Sequence, residues 1–205
     1  MWGGQFTMAG GIAANNIARW DGTSWSALGS GVVYAAGGYT PGVYCLAVSG
    51  STLYAGGAFD TAGGIAANDV ASWNGTKWSA LGSGTPVVNS MAVYGTNLYV
   101  GGTFYNANIG GVAGSTGLAY WNGTKWTGVP GLSFDNALEN RAVLIYTLAE
   151  YRGSLYVGGV FLGPSGGYGF LSWDGTNYHA VSNWKTSSTS ADTVIYDLVV
   201  AGDKL

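Results

Sequence analysis

Along most of this chain, apolar and polar positions alternate in short bursts separated by glycine-containing turns. Leu53-Tyr54-Ala55 and Leu98-Tyr99-Val100 each run apolar into a Gly-Gly pair, which predicts a short buried strand, b. After a loop, Val70-Ala71-Ser72-Trp73 predicts strand c, and Lys77-Trp78-Ser79-Ala80-Leu81 returns as strand d with alternating apolar positions. Between them Asn74-Gly75-Thr76 predicts a hairpin turn, because Asn-Gly suits two consecutive residues with positive φ. Asn89 to Tyr94 supplies strand a of the next unit and turns at Gly95-Thr96-Asn97 into another b. The four prolines (Pro41, Pro86, Pro130, Pro164) all fall in connections, as sheets require.

The same phrase occurs four times. Its Gly pairs open at residues 3, 56, 101 and 158, spaced by 53, 45 and 57 residues, and each is followed by an aromatic-turn-aromatic phrase: Trp20 to Trp25, Trp73 to Trp78, Trp121 to Trp126 and Trp173 to Tyr178. A period near 50 with four strands per unit predicts propeller blades or a β-solenoid. The repeats fall at approximately 1–53, 54–98, 99–155 and 156–205, within one domain spanning 1–205. The paired tryptophans recur at fixed places, so they read as core packed between neighbouring units rather than as a sugar-stacking platform.

An apolar run into Gly-Gly, then an aromatic, then Trp, resembles the kelch repeat over nearly the whole chain. It is more similar still to Rax2-like and to bacterial and phage surface repeats of the form LYVGGxFxxAGGxxANNIAxWDGTxWxALGxG. Residues 1–31 and 53–84 follow that phrase closely, whereas Ala107-Asn108-Ile109 and Pro164-Ser165 interrupt it and Tyr178 replaces the second Trp. The resemblance implies an all-β fold, a β-propeller of kelch-like four-stranded blades, extracellular and non-enzymatic. Residues 194–201 would be a further strand a. It either closes a four-bladed ring with strands b, c and d from the N-terminus or continues a longer, multi-blade or multi-chain array.

Composition narrows the partners. Only 8% of residues are charged, against roughly a quarter in an average domain, and the net charge is −3. Seven scattered Lys and Arg make no basic stripe, so nucleic acid is not an expected partner. No apolar stretch approaches the roughly 18 residues of a membrane span, and no leader opens the chain. A single cysteine, Cys45, excludes an internal disulfide. Low charge with abundant Gly, Ser, Thr, Asn and Trp predicts an extracellular, cell-surface or virion location.

In an antiparallel blade the a–b and c–d turns share one face, and here both are short and uniform. The b–c and d–a loops lie on the other face and hold all the length variation: Val33 to Gly42, Tyr105 to Gly117, Gly131 to Arg141, Leu162 to Gly169 and Ser182 to Asp192. Variable loops on a rigid scaffold are how binding surfaces are commonly built. Tyr39, Tyr105, Phe134, Tyr168 and Trp184 lie in those loops and are the candidate contacts for a glycan or protein. Within strand a, Glu150 breaks an apolar column (Val48, Val93, Val200) and Asp197 a small, neutral one (Cys45, Ser90, Thr147).

No cofactor or metal is expected. A copper oxidase needs several His ligands and His179 stands alone. The Asp/Asn-Gly-Thr turns offer at most one carboxylate each, too few for Ca²⁺, and lack the spacing of a sialidase Asp-box. Two-carboxylate glycoside hydrolysis would draw on Glu139, Glu150, Asp135 and Asp197, with no motif selecting a pair. The readings carried forward are a surface recognition or adhesion module, a structural or assembly protein of a virion, filament or envelope, and, third, a glycoside hydrolase.

Overall fold

The computed structural model describes residues 1–34, 42–104, 116–132, 143–163, 168–181 and 194–205. They form an all-β structure of small antiparallel sheets, with no helix among the described residues. Three sheets have four strands in chain order. The first joins Gly42–Ser49, Thr52–Ala58, Val70–Trp73 and Trp78–Ala80; the second, Val88–Tyr94, Asn97–Gly102, Leu118–Trp121 and Trp126–Gly128. The third joins Leu144–Tyr151, Ser154–Leu162, Tyr168–Trp173 and Tyr178–Ala180. These are strands a to d. A three-stranded sheet of Trp2–Gly3, Ile17–Trp20 and Trp25–Ala27 holds the places of b, c and d in the first repeat. The chain divides into two compact units, Met1–Val88 and Asn89–Leu205.

Steric contacts explain the Gly-Gly pair. A Cβ on the second glycine would meet the backbone of its own strand a: on Gly57 it would lie 2.0 Å from the Gly42 carbonyl oxygen, and on Gly159, 2.0 Å from that of Leu144. There strand a carries a bulge, between Val43 and Cys45 in one sheet and between Ile145 and Thr147 in the other. The first glycine is a socket for the strand-a segment that follows it in the chain. A Cβ on Gly3 would strike Val43, one on Gly101 would strike Ile145, and one on Gly158 would strike Ile195, all within 2.7 Å. Val43 and Ile145 are core residues of their units, alongside Leu53, Phe59 and Trp78 in the first and Leu155, Phe161 and Leu171 in the second.

The aromatic hairpins close as expected, with Trp20 opposite Trp25, Trp73 opposite Trp78, Trp121 opposite Trp126 and Trp173 opposite Tyr178. Their turns work differently from the two-residue positive-φ reading. Only the glycine is left-handed (Gly75 φ 100°), while Asn74 Oδ1 accepts from Thr76 N, Thr76 Oγ1 and Lys77 N at 2.9–3.0 Å. Asp21 and Asn122 do the same, and Asp174 accepts from Thr176 N and Asn177 N, which is why Asp and Asn interchange there: only an acceptor oxygen is needed. The donated N–H groups hold the Asp21 carboxyl well below the usual carboxylate range. Those of Asn177 and Thr176, with His179 at 2.7 Å, hold Asp174 at about 2. Consecutive positive φ values occur instead at Gly10-Gly11, at Arg152-Gly153, and at Gly63-Gly64 between the short strands Thr61–Ala62 and Ile65–Ala66. There a Cβ on Gly63 would meet Trp78 at 2.6 Å.

In the second and third repeats the strand-d tryptophans, Trp78 and Trp126, are the buried members of their pairs, and in the fourth Trp173 on strand c takes that role. Trp20 is exposed, so the core assignment does not extend to every member.

Residues 194–201, read from sequence as a strand a, form no extended ladder; only Ala201 and Lys204 bridge. A strand needs a partner, and here the hairpin is only begun. The segment nonetheless takes a strand-a position against the strand Leu144–Tyr151. Leu198 N donates to Thr147 Oγ1 at 3.0 Å, as Leu148 N donates to Ser90 Oγ at 2.9 Å one repeat earlier.

One position at the start of strand c is left-handed in every repeat: Asn16 (φ 62°), Asp69 (61°) and Gly117 (81°) just before the strand, and Gly169 (66°) as its second residue. Asn16 uses its side chain as a clamp, accepting from Phe6 N at 3.1 Å and donating to Val32 O at 2.8 Å. Asp69 accepts from Phe59 N at 2.8 Å.

Candidate functional site

Four of the five loop aromatics singled out from sequence, Tyr39, Tyr105, Phe134 and Trp184, lie outside the described residues. Tyr168 opens the strand Tyr168–Trp173, its Cα opposite Leu162. The variable-loop face is therefore carried by sequence alone.

The described residues form a site elsewhere. In each unit a cleft lies between consecutive repeats, on the side of the a–b and c–d turns. In the first unit it measures about 360 Å³ and is lined by Met1, Arg19, Val48, Leu53 and Trp73, with Gly75 of the turn. In the second it measures about 740 Å³, and its walls include Tyr94, Thr96, Asn97, Tyr99, Tyr120 and Glu150. The two clefts occupy the same place in the repeat but carry different chemistry.

The tyrosine wall follows from strand geometry. Tyr99 on strand b and Tyr120 on strand c are cross-strand partners, so their side chains project on one face, with ring centroids 5.2 Å apart. Tyr94 ends strand a and meets Tyr99 edge-on at 5.7 Å. Tyr99 is buried and its hydroxyl accepts from Trp173 Nε1 at 3.3 Å. Burial raises its pKa, so it stays a neutral phenol. Tyr94 reaches the neighbouring repeat, its phenol donating to Gly153 O at 3.2 Å. Gly153 N in turn donates to Glu150 Oε1 at 2.9 Å, which fixes an exposed carboxylate at the rim.

Glu150 was visible in the sequence as a break in an apolar column; the tyrosines were not singled out. A signal existed. Where Tyr120 stands, the other repeats carry Arg19, Ser72 and Ser172, while the place of Tyr94 is held by Ser49 in one strand a and by Tyr151 in another. Asp197, the other break, is exposed and accepts from Leu198 N at 2.9 Å. Glu139, Asp135 and Arg141 lie outside the described residues.

Among the described residues no group of three or more His, Cys, Asp or Glu is placed to hold a metal ion. Burial pushes the Cys45 thiol far above its ordinary pKa, which leaves it a poor nucleophile. No helix among the described residues is long and apolar enough to cross a membrane. In comparisons with known proteins, no family model matches the chain and no curated protein matches it.

Proposed function

We propose that this chain is a run of kelch-like β-propeller blades serving as a non-enzymatic recognition or adhesion module, extracellular or on a virion surface, and that its ligand is a glycan. The observation that carries this reading is the tyrosine cleft of the second unit. Tyr120 replaces the Arg or Ser of the other repeats, and with Tyr94 and Tyr99 it sits beside Thr96, Asn97 and Glu150. Flat aromatic area next to amide, hydroxyl and carboxylate groups suits a sugar ring, whose faces are apolar and whose edge is polar. The loop aromatics Tyr39, Tyr105, Phe134, Tyr168 and Trp184 supply a second surface on the opposite side of the blades, for a glycan or a protein.

A glycan array probed with the purified chain tests the reading, followed by Tyr120→Ser, which restores the residue of the second and fourth repeats. Binding should fall about tenfold or more with the melting temperature little changed. An array without hits, or a hit indifferent to Tyr120→Ser and to loop-aromatic substitution alike, would refute it.

One observation favours a structural or assembly role. Tyr196 (72% exposed), Val199 (65%) and Val200 (42%) leave an apolar strand-like segment open to solvent. Light scattering distinguishes the two roles: a concentration-dependent oligomer, dispersed by Val199→Lys, is the result expected of an assembly subunit.

A further inference from the structure

We infer that the tyrosine cleft selects a glycan bearing a protonated amine, with Glu150 as the group that reads the charge. The inference rests on the glycan reading above and goes one step past it, from sugar to amino sugar.

Glu150 is the only charged side chain among the residues lining this cleft, and among the described residues it makes no ion pair. The neighbouring cation is turned elsewhere. Arg152 lies over the Tyr151 ring at 5.1 Å and reaches Asp203 O at 3.4 Å. Only Glu150 Oε1 is engaged, by Gly153 N, so the carboxylate is held in place while its charge faces the cleft mouth. Phenol faces add to this. The negative face of an aromatic ring attracts a cation, and Tyr94, Tyr99 and Tyr120 form a continuous set of rings beside the carboxylate.

The matching cleft of the first unit provides the contrast. Arg19 stands there in the place of Tyr120, Val48 in that of Glu150 and Met1 in that of Tyr99. The same groove is thus anionic and tyrosine-walled in one unit, and in the other cationic, with aliphatic side chains and the Trp73 indole. Only the former complements an ammonium group, and the latter repels one. An N-acetylated sugar keeps the ring that tyrosine stacks upon but loses the charge, so the pair of ligands separates stacking from charge reading.

The test titrates the full chain with a short glucosamine oligomer and with the same oligomer N-acetylated, at low salt and at a pH where the amines are protonated. The glucosamine form should bind about tenfold or more tighter, and the preference should fade with salt and as pH rises through the amine pKa. Glu150→Gln keeps an acceptor for Gly153 N and removes only the charge; it should abolish the preference without lowering the melting temperature. Arg19→Ala should leave binding unchanged. Equal binding of the two oligomers, or a preference that survives Glu150→Gln, overturns the inference while leaving the glycan reading intact. If neither oligomer binds and the array is also blank, both fall.

Discussion

The two units solve one backbone problem in two ways. At the start of strand c every repeat has a residue with left-handed φ. The first unit uses Asn16 and Asp69 there, and the second uses Gly117 and Gly169. In the first unit that residue's side chain, with those of Asn15 and Asn68 beside it, ties three stretches of chain together. Asn15 Nδ2 donates to Ser30 O and Asn68 Nδ2 to Ser83 O, each at 2.9 Å, while Asn16 and Asp69 hold Phe6 N and Phe59 N. In the second unit glycine keeps the backbone turn and gives up the tie. The b–c loops also vary there: Phe104 to Gly117 spans 13 positions and Phe161 to Gly169 only 8, against 10 for both Phe6 to Asn16 and Phe59 to Asp69. The left-handed residue is what the scaffold requires, and the side-chain clamp fixes loop length where no variation is wanted. The same division runs through the clefts: the regular unit keeps a small one, and the divergent unit opens a larger one walled with tyrosine.

The largest expected effect probes the regular half. Trp78 is 6% exposed, donates its indole N–H to Leu28 O at 2.7 Å and covers Gly63. Trp78→Ala should destabilise by about 3–5 kcal/mol in denaturant titration, through lost packing and a cavity. A mutant that unfolds with the parent would mean that this tryptophan does not join the two repeats.

The clamp itself is next. Asn16→Gly preserves the left-handed backbone but strands Phe6 N and Val32 O, and should cost about 1–3 kcal/mol. No measurable loss would show that the second unit sacrifices nothing by using glycine, and the contrast between the halves would lose its energetic meaning.

The smallest effect separates Asn16 from Asp69. Burial raises the Asp69 pKa from 3.8 to about 6, opposed by the Phe59 N–H and reinforced by Asp60. Between pH 4 and 6 the folded chain therefore holds a proton that the unfolded chain has released. The Asp69 contribution to stability is full below about pH 4 and declines as pH rises through 6. The loss should reach about 1–2 kcal/mol, allowing for solvent screening at a half-buried carboxyl. Asp69→Asn should remove this slope and raise the melting temperature at pH 7. An unchanged pH profile in Asp69→Asn would place the titration elsewhere.

Much of the scaffold was legible because it is written in residues with few substitutes. Gly-Gly marks where backbones touch, and the Trp-Asp/Asn-Gly-Thr phrase marks a turn that needs an acceptor, a left-handed residue and two cross-strand aromatics. The turn's mechanism was misread because Asn-Gly fits two turn geometries, and only side-chain hydrogen bonds separate them. The cleft was harder to see. Tyr94, Tyr99, Tyr120 and Glu150 come from four strands of two repeats, and each tyrosine alone looks like an ordinary strand residue. Aligning the repeats position by position would have exposed Tyr120, since its counterparts are Arg or Ser.

The glycine socket has a consequence beyond packing. At Gly3, Gly101 and Gly158 it accepts an apolar side chain from the strand-a segment that follows in the chain, so these seams are head-to-tail and their two sides differ. A directional joint of this kind can be copied. Duplicating or deleting a repeat alters the count without calling for a new interface, and stability becomes a sum over adjacent pairs. Damage at one socket, such as Gly101→Val against Ile145, should therefore weaken the two repeats that share it before it is felt farther along the chain.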